Sequence, residues 1–276
     1  LPAIRGEIKD SQGNILASTE KTWDINIDPL NVGPVVLEID GQKVPFTKEQ
    51  IAEKLAQILR IPTESVLSKM TGVGRFANLK KSVSASTFTT LKNLDIPWVY
   101  YDLKQSRHYS NGAVAGNLLG FVGSDGAALA GIERTHNACL AGTDGKEKYV
   151  QGADLIKIPS SIQTIVPVKN GGDVVLTIDA DLQYAAQQEM AATVRRLKAD
   201  WASAIVIEVK TGRILAAAEA PSVDPNNPGG VAERNRHSRI FQAAFEPGSI
   251  LKPVAAATAI DKGKATPTTK VIAPDK

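Results

Sequence analysis

The sequence predicts an α+β fold in two parts, and three observations carry that prediction. Apolar and polar residues alternate around a polar turn at the start of the chain. A turn cluster, Val168-Lys169-Asn170-Gly171-Gly172, marks a change of pattern, and beyond it come a long helix, a hairpin and a capped helix. The boundary is placed at residue 170, which gives a β-rich, elongated region 1–170 and a second region 171–276 built as helices on an antiparallel sheet.

From Arg5 to about Asp28 the pattern is strand, turn, strand: Asp10-Ser11-Gln12-Gly13-Asn14 has turn chemistry, and Trp23, Ile25 and Ile27 alternate with polar residues. Thr47-Lys48-Glu49-Gln50 fits a capping box ahead of Ile51, Leu55, Ile58 and Leu59, so a helix should run to about Arg60 and stop at Pro62. A short helix should carry Val66 and Leu67, and another should span Ser86 to Leu94. Glycines from Gly112 to Gly152 predict turns and close approaches between short strands.

In the second region the strand Asp173–Ile178 leads to a helix capped by Asp179 or Asp181, with Leu182, Ala186, Met190, Val194 and Leu197 on one face. Ser203–Val209 and Ile214–Ala218 flank the turn Lys210-Thr211-Gly212-Arg213, a hairpin signal. After a polar loop, Pro221 to Asn235, a last helix should start near Gly248 and end at Gly263.

Composition narrows the function classes. The 276 residues, 43% hydrophobic and 22% charged, describe an ordinary globular protein, and a net charge of +3 without a clustered basic face argues against nucleic acid. No run approaches the roughly 18 apolar residues of a membrane span. The single cysteine, Cys139, is expected as a small buried residue. His108, His136 and His237 lack the spacing of a metal site, Asp179 and Asp181 read as helix-start residues, and no cofactor is expected.

The segment Phe245-Glu246-Pro247-Gly248-Ser249-Ile250-Leu251-Lys252-Pro253 carries the chemistry. If Pro247-Gly248 turns the chain into a helix, Ser249 stands at its start with Lys252 one turn on, on the same face. A serine hydroxyl needs a base within hydrogen-bond reach, and a lysine with a lowered pKa can serve. Pro253 cannot donate to the Ser249 carbonyl, so the helix must begin irregularly. Ser18-Thr19-Glu20-Lys21 has the same spacing but sits in strand-like sequence, where residues three apart face opposite sides.

The nine residues from Phe245 to Pro253 closely resemble the active-site segment of the class B, monofunctional penicillin-binding proteins. The resemblance covers nearly the whole chain. Arg5–Ala17 is similar to that family's opening signature, and Gly116–Gly123, Gly131–Arg134 and Leu140–Gly145 are similar to motifs of its non-catalytic pedestal, a dimerisation-like module. Asp173–Leu182, Lys210–Ala216 and Pro221–Asn226 are similar to the opening of its transpeptidase domain. Ile250 stands where threonine is common, and Ser238-Arg239 where Asn-Arg is usual.

What the resemblance implies is a peptidoglycan D,D-transpeptidase working through a serine acyl-enzyme, of the septal, cell-division type, with Ser249 as nucleophile and Lys252 as general base or proton shuttle. It implies stem peptides and the lipid-linked precursor as substrates and β-lactams as covalent inhibitors. Its implied partners are a glycosyltransferase and other division or wall-synthesis membrane proteins. It places the protein on the extracytoplasmic face of the cytoplasmic membrane, with a single N-terminal anchor upstream. The family's Ser-x-Asn and Lys-Thr-Gly motifs follow the serine helix. Here Lys210-Thr211-Gly212 precedes it in a turn, and the 24 residues after Lys252 supply neither motif, so the transpeptidase domain is expected to be incomplete and the chain inactive as it stands. A non-catalytic interaction module of the division machinery is the alternative; a β-lactam sensor or β-lactamase relative fits less well, because so long a region precedes the serine.

Overall fold

The computed structural model describes residues 2–39, 41–150, 161 and 163–271. Its organising element is one long strand. After β1 (Ile8–Lys9) the chain turns at Asp10, whose buried carboxylate accepts the amides of Gln12 and Asn14 at 2.9 and 2.8 Å, and enters β2 (Ile15–Ile27). Next come the hairpin β3 (Val35–Ile39) and β4 (Gln42–Phe46), α1 (Lys48–Leu59), α2 (Thr63–Met70), β5 (Ala77–Val83), α3 (Ala85–Lys92) and β6 (Val99–Tyr109). The capping box is formed at Thr47 and Gln50, and α1 buries Ile51, Leu55 and Leu59, as its spacing predicts. Thus β2 receives β6 along one side, while β1 and β5 share the other. Ile25 and Ile27 pack with Leu55, Leu59 and Trp98 in one apolar cluster, and Ile8, Leu16, Tyr109 and Leu119 form a second farther along the same sheet.

The glycine-rich stretch differs from its expectation. Instead of short strands it folds mainly into helical turns, α4 (Gly116–Leu119), α5 (Gly131–Thr135) and α6 (Asn137–Leu140), before β7 (Lys146–Lys148) and β8 (Gln163–Val166); Gly152 lies outside the described residues. Gly120 and Gly131 explain this, because their φ values of 70° and 57° let the backbone reverse so tightly that a Cβ on Gly120 would lie 2.0 Å from the Ala130 carbonyl oxygen. Cys139 is a second correction: it is exposed, its Sγ 3.7 Å from the Gly172 carbonyl oxygen, because α6 is too short to bury more than Leu140.

The chain then returns to its start. β9 (Val174–Val175) pairs in parallel with β1, Gly6 donates to Leu140 and Gly171 donates to Ile4, both at 2.9 Å. A Cβ on Gly6 would sit 2.0 Å from the Gly172 carbonyl oxygen, so this crossing exists only without side chains. Beside it lies Glu133, with no exposed surface, whose carboxylate accepts from Arg5 Nε at 2.6 Å, Arg107 Nε at 2.7 Å and the Tyr109 hydroxyl at 3.3 Å.

In the C-terminal region Asp179 caps α7 (Ala180–Leu197), which packs on the antiparallel hairpin of β10 (Ala202–Ile207) and β11 (Ile214–Ala220). Leu182, Ala186, Met190 and Val194 are half-buried, but Leu197 is exposed, and the fully buried residue is Gln183. Its side chain exchanges two hydrogen bonds with the Ala217 backbone, and Gln187 reaches Ala113 and Ala115. The short α8 (Arg239–Gln242) and then α9 (Leu251–Asp261) complete the described chain.

Candidate active site

The path to Ser249 is set by a buried carboxylate. Glu219, 3% exposed at the end of β11, accepts the Ser238 hydroxyl at 2.7 Å and the Arg239 amide at 2.8 Å, and the Arg239 guanidinium lies 3.8 Å away. Arg239 also donates to Asn235. Asn117, on α4, donates to the carbonyls of Asn235 and His237 and accepts the Val223 amide, so it fastens this loop to the N-terminal region. Ser238, which stands where asparagine is usual in the family it resembles, thus gives the carboxylate a hydroxyl donor.

Beyond α8 the chain leaves through Ala243 in extended conformation, and the ring of Phe245 meets Trp201 edge-on at 6.3 Å. Gly248, at φ 54°, turns it into a 3-10 turn over Gly248–Ile250, and α9 follows at Leu251. Open space surrounds the Cβ position of Gly248, so glycine is needed there for its dihedral and not for room. The 3-10 turn is the irregular start that Pro253 demands: Pro253 occupies the third position of α9, inside the first turn, where a missing N–H costs little.

Ser249 thus stands in the turn that opens α9, and Lys252 follows within its first turn. Both are exposed, and among the described residues no hydrogen bond joins them. An apolar cavity of 370 Å³ is walled by Leu118, Ile132 and Phe241 with Arg134 and His237, and neither Ser249 nor Lys252 lines it. Ser18 and Lys21 lie together on β2, and Lys210-Thr211-Gly212 forms the β10–β11 turn with Gly212 at φ 74°. His108 lies on β6 and His136 between α5 and α6, far apart in the chain from His237. Sequence reading missed Glu219 and gave Asn117 no role beyond its place in the Gly116–Gly123 motif; the signal for Glu219 is a lone acid in an alanine-rich strand.

Residues 1–176 match the family model for the penicillin-binding protein dimerisation domain, and residues 202–276 match that for the penicillin-binding protein transpeptidase domain. Fold and sequence thus define a chain in which a dimerisation-type module leads into the start of a transpeptidase domain. The chain belongs to the penicillin-binding proteins, as its motifs predicted. It is 32% identical to penicillin-binding protein PbpB of Mycolicibacterium smegmatis, over 96% of this chain and 43% of that protein. It is 29% identical to peptidoglycan D,D-transpeptidase FtsI of Escherichia coli, over 94% of this chain and 43% of that protein. A crystal structure of a peptidoglycan synthetase from Bifidobacterium adolescentis superposes with a TM-score of 0.63 at 30% identity, covering 100% of this chain and 53% of the other. Penicillin-binding protein 2X from Streptococcus thermophilus gives 0.67 at 26% identity, covering 98% and 42%. The chain spans less than half the length of the curated relatives it matches.

Proposed function

We propose that this chain is the serine-bearing part of a peptidoglycan D,D-transpeptidase of the septal, cell-division type, with Ser249 as the acylated nucleophile and Lys252 as its base. The observation that carries the reading is the turn at Gly248, which sets Ser249 at the opening of α9 one turn ahead of Lys252, inside the region matched to a transpeptidase domain. In the reaction the Ser249 hydroxyl gives its proton to a neutral Lys252 and attacks a stem-peptide carbonyl. The acyl group then passes to an amine of a neighbouring stem, and a β-lactam intercepts the first step. The protein acts on the extracytoplasmic face of the cytoplasmic membrane, beside a glycosyltransferase and other wall-synthesis proteins. Residues 1–170 serve as the pedestal and 171–276 as the first part of the catalytic domain.

The 276 residues as they stand react poorly. Ser249 and Lys252 are both exposed with no hydrogen bond between them among the described residues, and within the 276 residues no Ser-x-Asn motif follows Ser249. A fluorescent penicillin tests this. A longer chain carrying Ser-x-Asn and a strand-borne Lys-Thr-Gly should label covalently and lose the label in Ser249→Ala, whereas the 276-residue chain should label weakly. A longer chain that stays unlabelled, or that labels equally after Ser249→Ala, ends the reading.

A further inference from the structure

We infer that the cavity walled by α4, α5 and α8 binds a small amphipathic anion, an alkyl chain ending in a carboxylate. Its walls come from both matched regions: Leu118, Leu129, Ile132 and Arg134 lie within 1–176, and His237 and Phe241 within 202–276. At 370 Å³ it falls in the range of roughly 300–1,000 Å³ typical of small-molecule sites, which favour such junctions between domains. Neither Ser249 nor Lys252 borders it, so the site is separate from the proposed acylation chemistry.

Leu118, Leu129, Ile132 and Phe241 supply the apolar surface. Leu129 and Phe241 are 47% and 55% exposed, and an alkyl chain in the cavity would cover them. The walls stand in place before any ligand arrives: the Glu219 carboxylate holds α8 through Ser238 and Arg239, and Asn117 fastens α4 to the carbonyls of Asn235 and His237.

The polar groups choose the charge. Asn117 spends its side chain on Asn235, His237 and Val223, the Ser238 hydroxyl serves Glu219, and the Thr135 hydroxyl donates to Gly131. Three groups on the wall remain, the Arg134 guanidinium, the His237 ring and the Gln242 amide, whose side chains have no hydrogen bond or ion pair among the described residues. All three can donate, and Arg134 can only donate. No acidic side chain borders the cavity among the described residues. Glu133, beside Arg134 in the chain, turns instead to Arg5, Arg107 and Tyr109. A cationic ligand would therefore meet Arg134 with no carboxylate between them, and an alcohol would leave the charge unused. A carboxylate completes it with a charge-assisted hydrogen bond.

An amide NMR titration of the 276-residue chain with octanoate tests the site. Saturable shifts are expected around Leu118, Ile132, Arg134 and Phe241, with octanol about tenfold weaker or more and octyltrimethylammonium not binding. Shortening octanoate to hexanoate should weaken binding about fourfold for each methylene lost. Arg134→Met, which keeps an apolar stem and removes the charge, should bring octanoate to octanol's affinity or below. Ile132→Trp, which fills the cavity, should abolish binding of both; if that variant does not fold, Arg134→Met decides alone. A chain extended through the whole transpeptidase domain should bind octanoate as tightly. The inference is overturned by no saturable binding up to about 10 mM, by shifts centred elsewhere, or by indifference to Arg134→Met. Loss of binding in the extended chain overturns it too, because the added residues would then fill the cavity. Penicillin labelling of Ser249 bears on none of these outcomes.

Discussion

Arg107 Nε lies 2.7 Å from Oε1 of Glu133, a carboxylate with no exposed surface, while Arg5 Nε lies 2.6 Å from the other oxygen. One arginine comes from the chain's start and the other from β6, so one buried acid ties both to α5. Removing it leaves two guanidiniums facing each other in a site where Arg107 Nη2 already lacks a partner. Breaking a buried pair from one side costs about 3–5 kcal/mol, so Glu133→Ala should lower the unfolding free energy of the N-terminal region, read from its urea transition, by that measure. Glu133→Gln should fall between it and the parent. A loss below about 1 kcal/mol would show that the site relaxes or hydrates freely.

The Glu219–Ser238 contact is a smaller joint of the same kind. Ser238→Ala leaves a buried carboxylate oxygen without its 2.7 Å donor and should cost about 1–3 kcal/mol. Ser238→Asn, which restores the residue its relatives were expected to carry, should be nearly neutral because an amide N–H can take the hydroxyl's place. Differential scanning fluorimetry of the two variants checks the order; equal melting points would mean that the hydroxyl contact contributes nothing.

Acid sensitivity should be concentrated at the first turn. Burial pushes the Asp10 carboxyl up, but hydrogen bonds from Asn14 and the amides of Gln12 and Ala180 outweigh it and hold its pKa below the usual range. Asp173 is lowered as well, chiefly by its 2.8 Å bond to Lys9. A depressed folded-state pKa means that the unfolded chain binds the proton first. The stabilisation is therefore complete above about pH 4 and is lost as pH falls through the lowered folded values. Asp10→Asn should flatten the fall in melting temperature between pH 5 and pH 2 (roughly the range over which such carboxylates titrate). A parallel fall in parent and variant would exclude Asp10 as a source.

These sites show which physical signals a sequence carries. Helix α1 is legible because its capping box and apolar spacing agree over adjacent residues. The Gly248 turn is legible because proline, glycine and serine act locally. Glu133 is not, since its partners lie 128 and 26 residues away, and its isolated position in the sequence looks like any surface acid. Helices α4 to α6 fail for a related reason: glycines at positive φ read as turn chemistry whether the chain leaves into a strand or a helical turn. Gln183 defeats periodicity differently, because an apolar template cannot score a buried amide whose whole purpose is to bond β11.

Residues beyond about Asp200 should exchange amide hydrogens faster than the sheet around β2. Strands β10 and β11 form only a two-stranded ladder among the described residues, and Ile205, Ile207 and Val209 of that hairpin are 46%, 52% and 96% exposed. Helix α9 buries no residue, and Leu251, Val254 and Ile260 along it remain open to water. Its backbone bonds thus lack the apolar packing that supplies most of a helix's stability, and at 11 residues it is marginal alone. The β2 strand, by contrast, is flanked on both sides and contributes to both apolar clusters. Hydrogen exchange read by mass spectrometry should therefore show α9 protected least, the β10–β11 hairpin and α7 next, and β2 with its neighbours most. Uniform protection across α9 and β2 would mean that something covers the apolar faces in solution, and a longer transpeptidase chain should then show no added protection there.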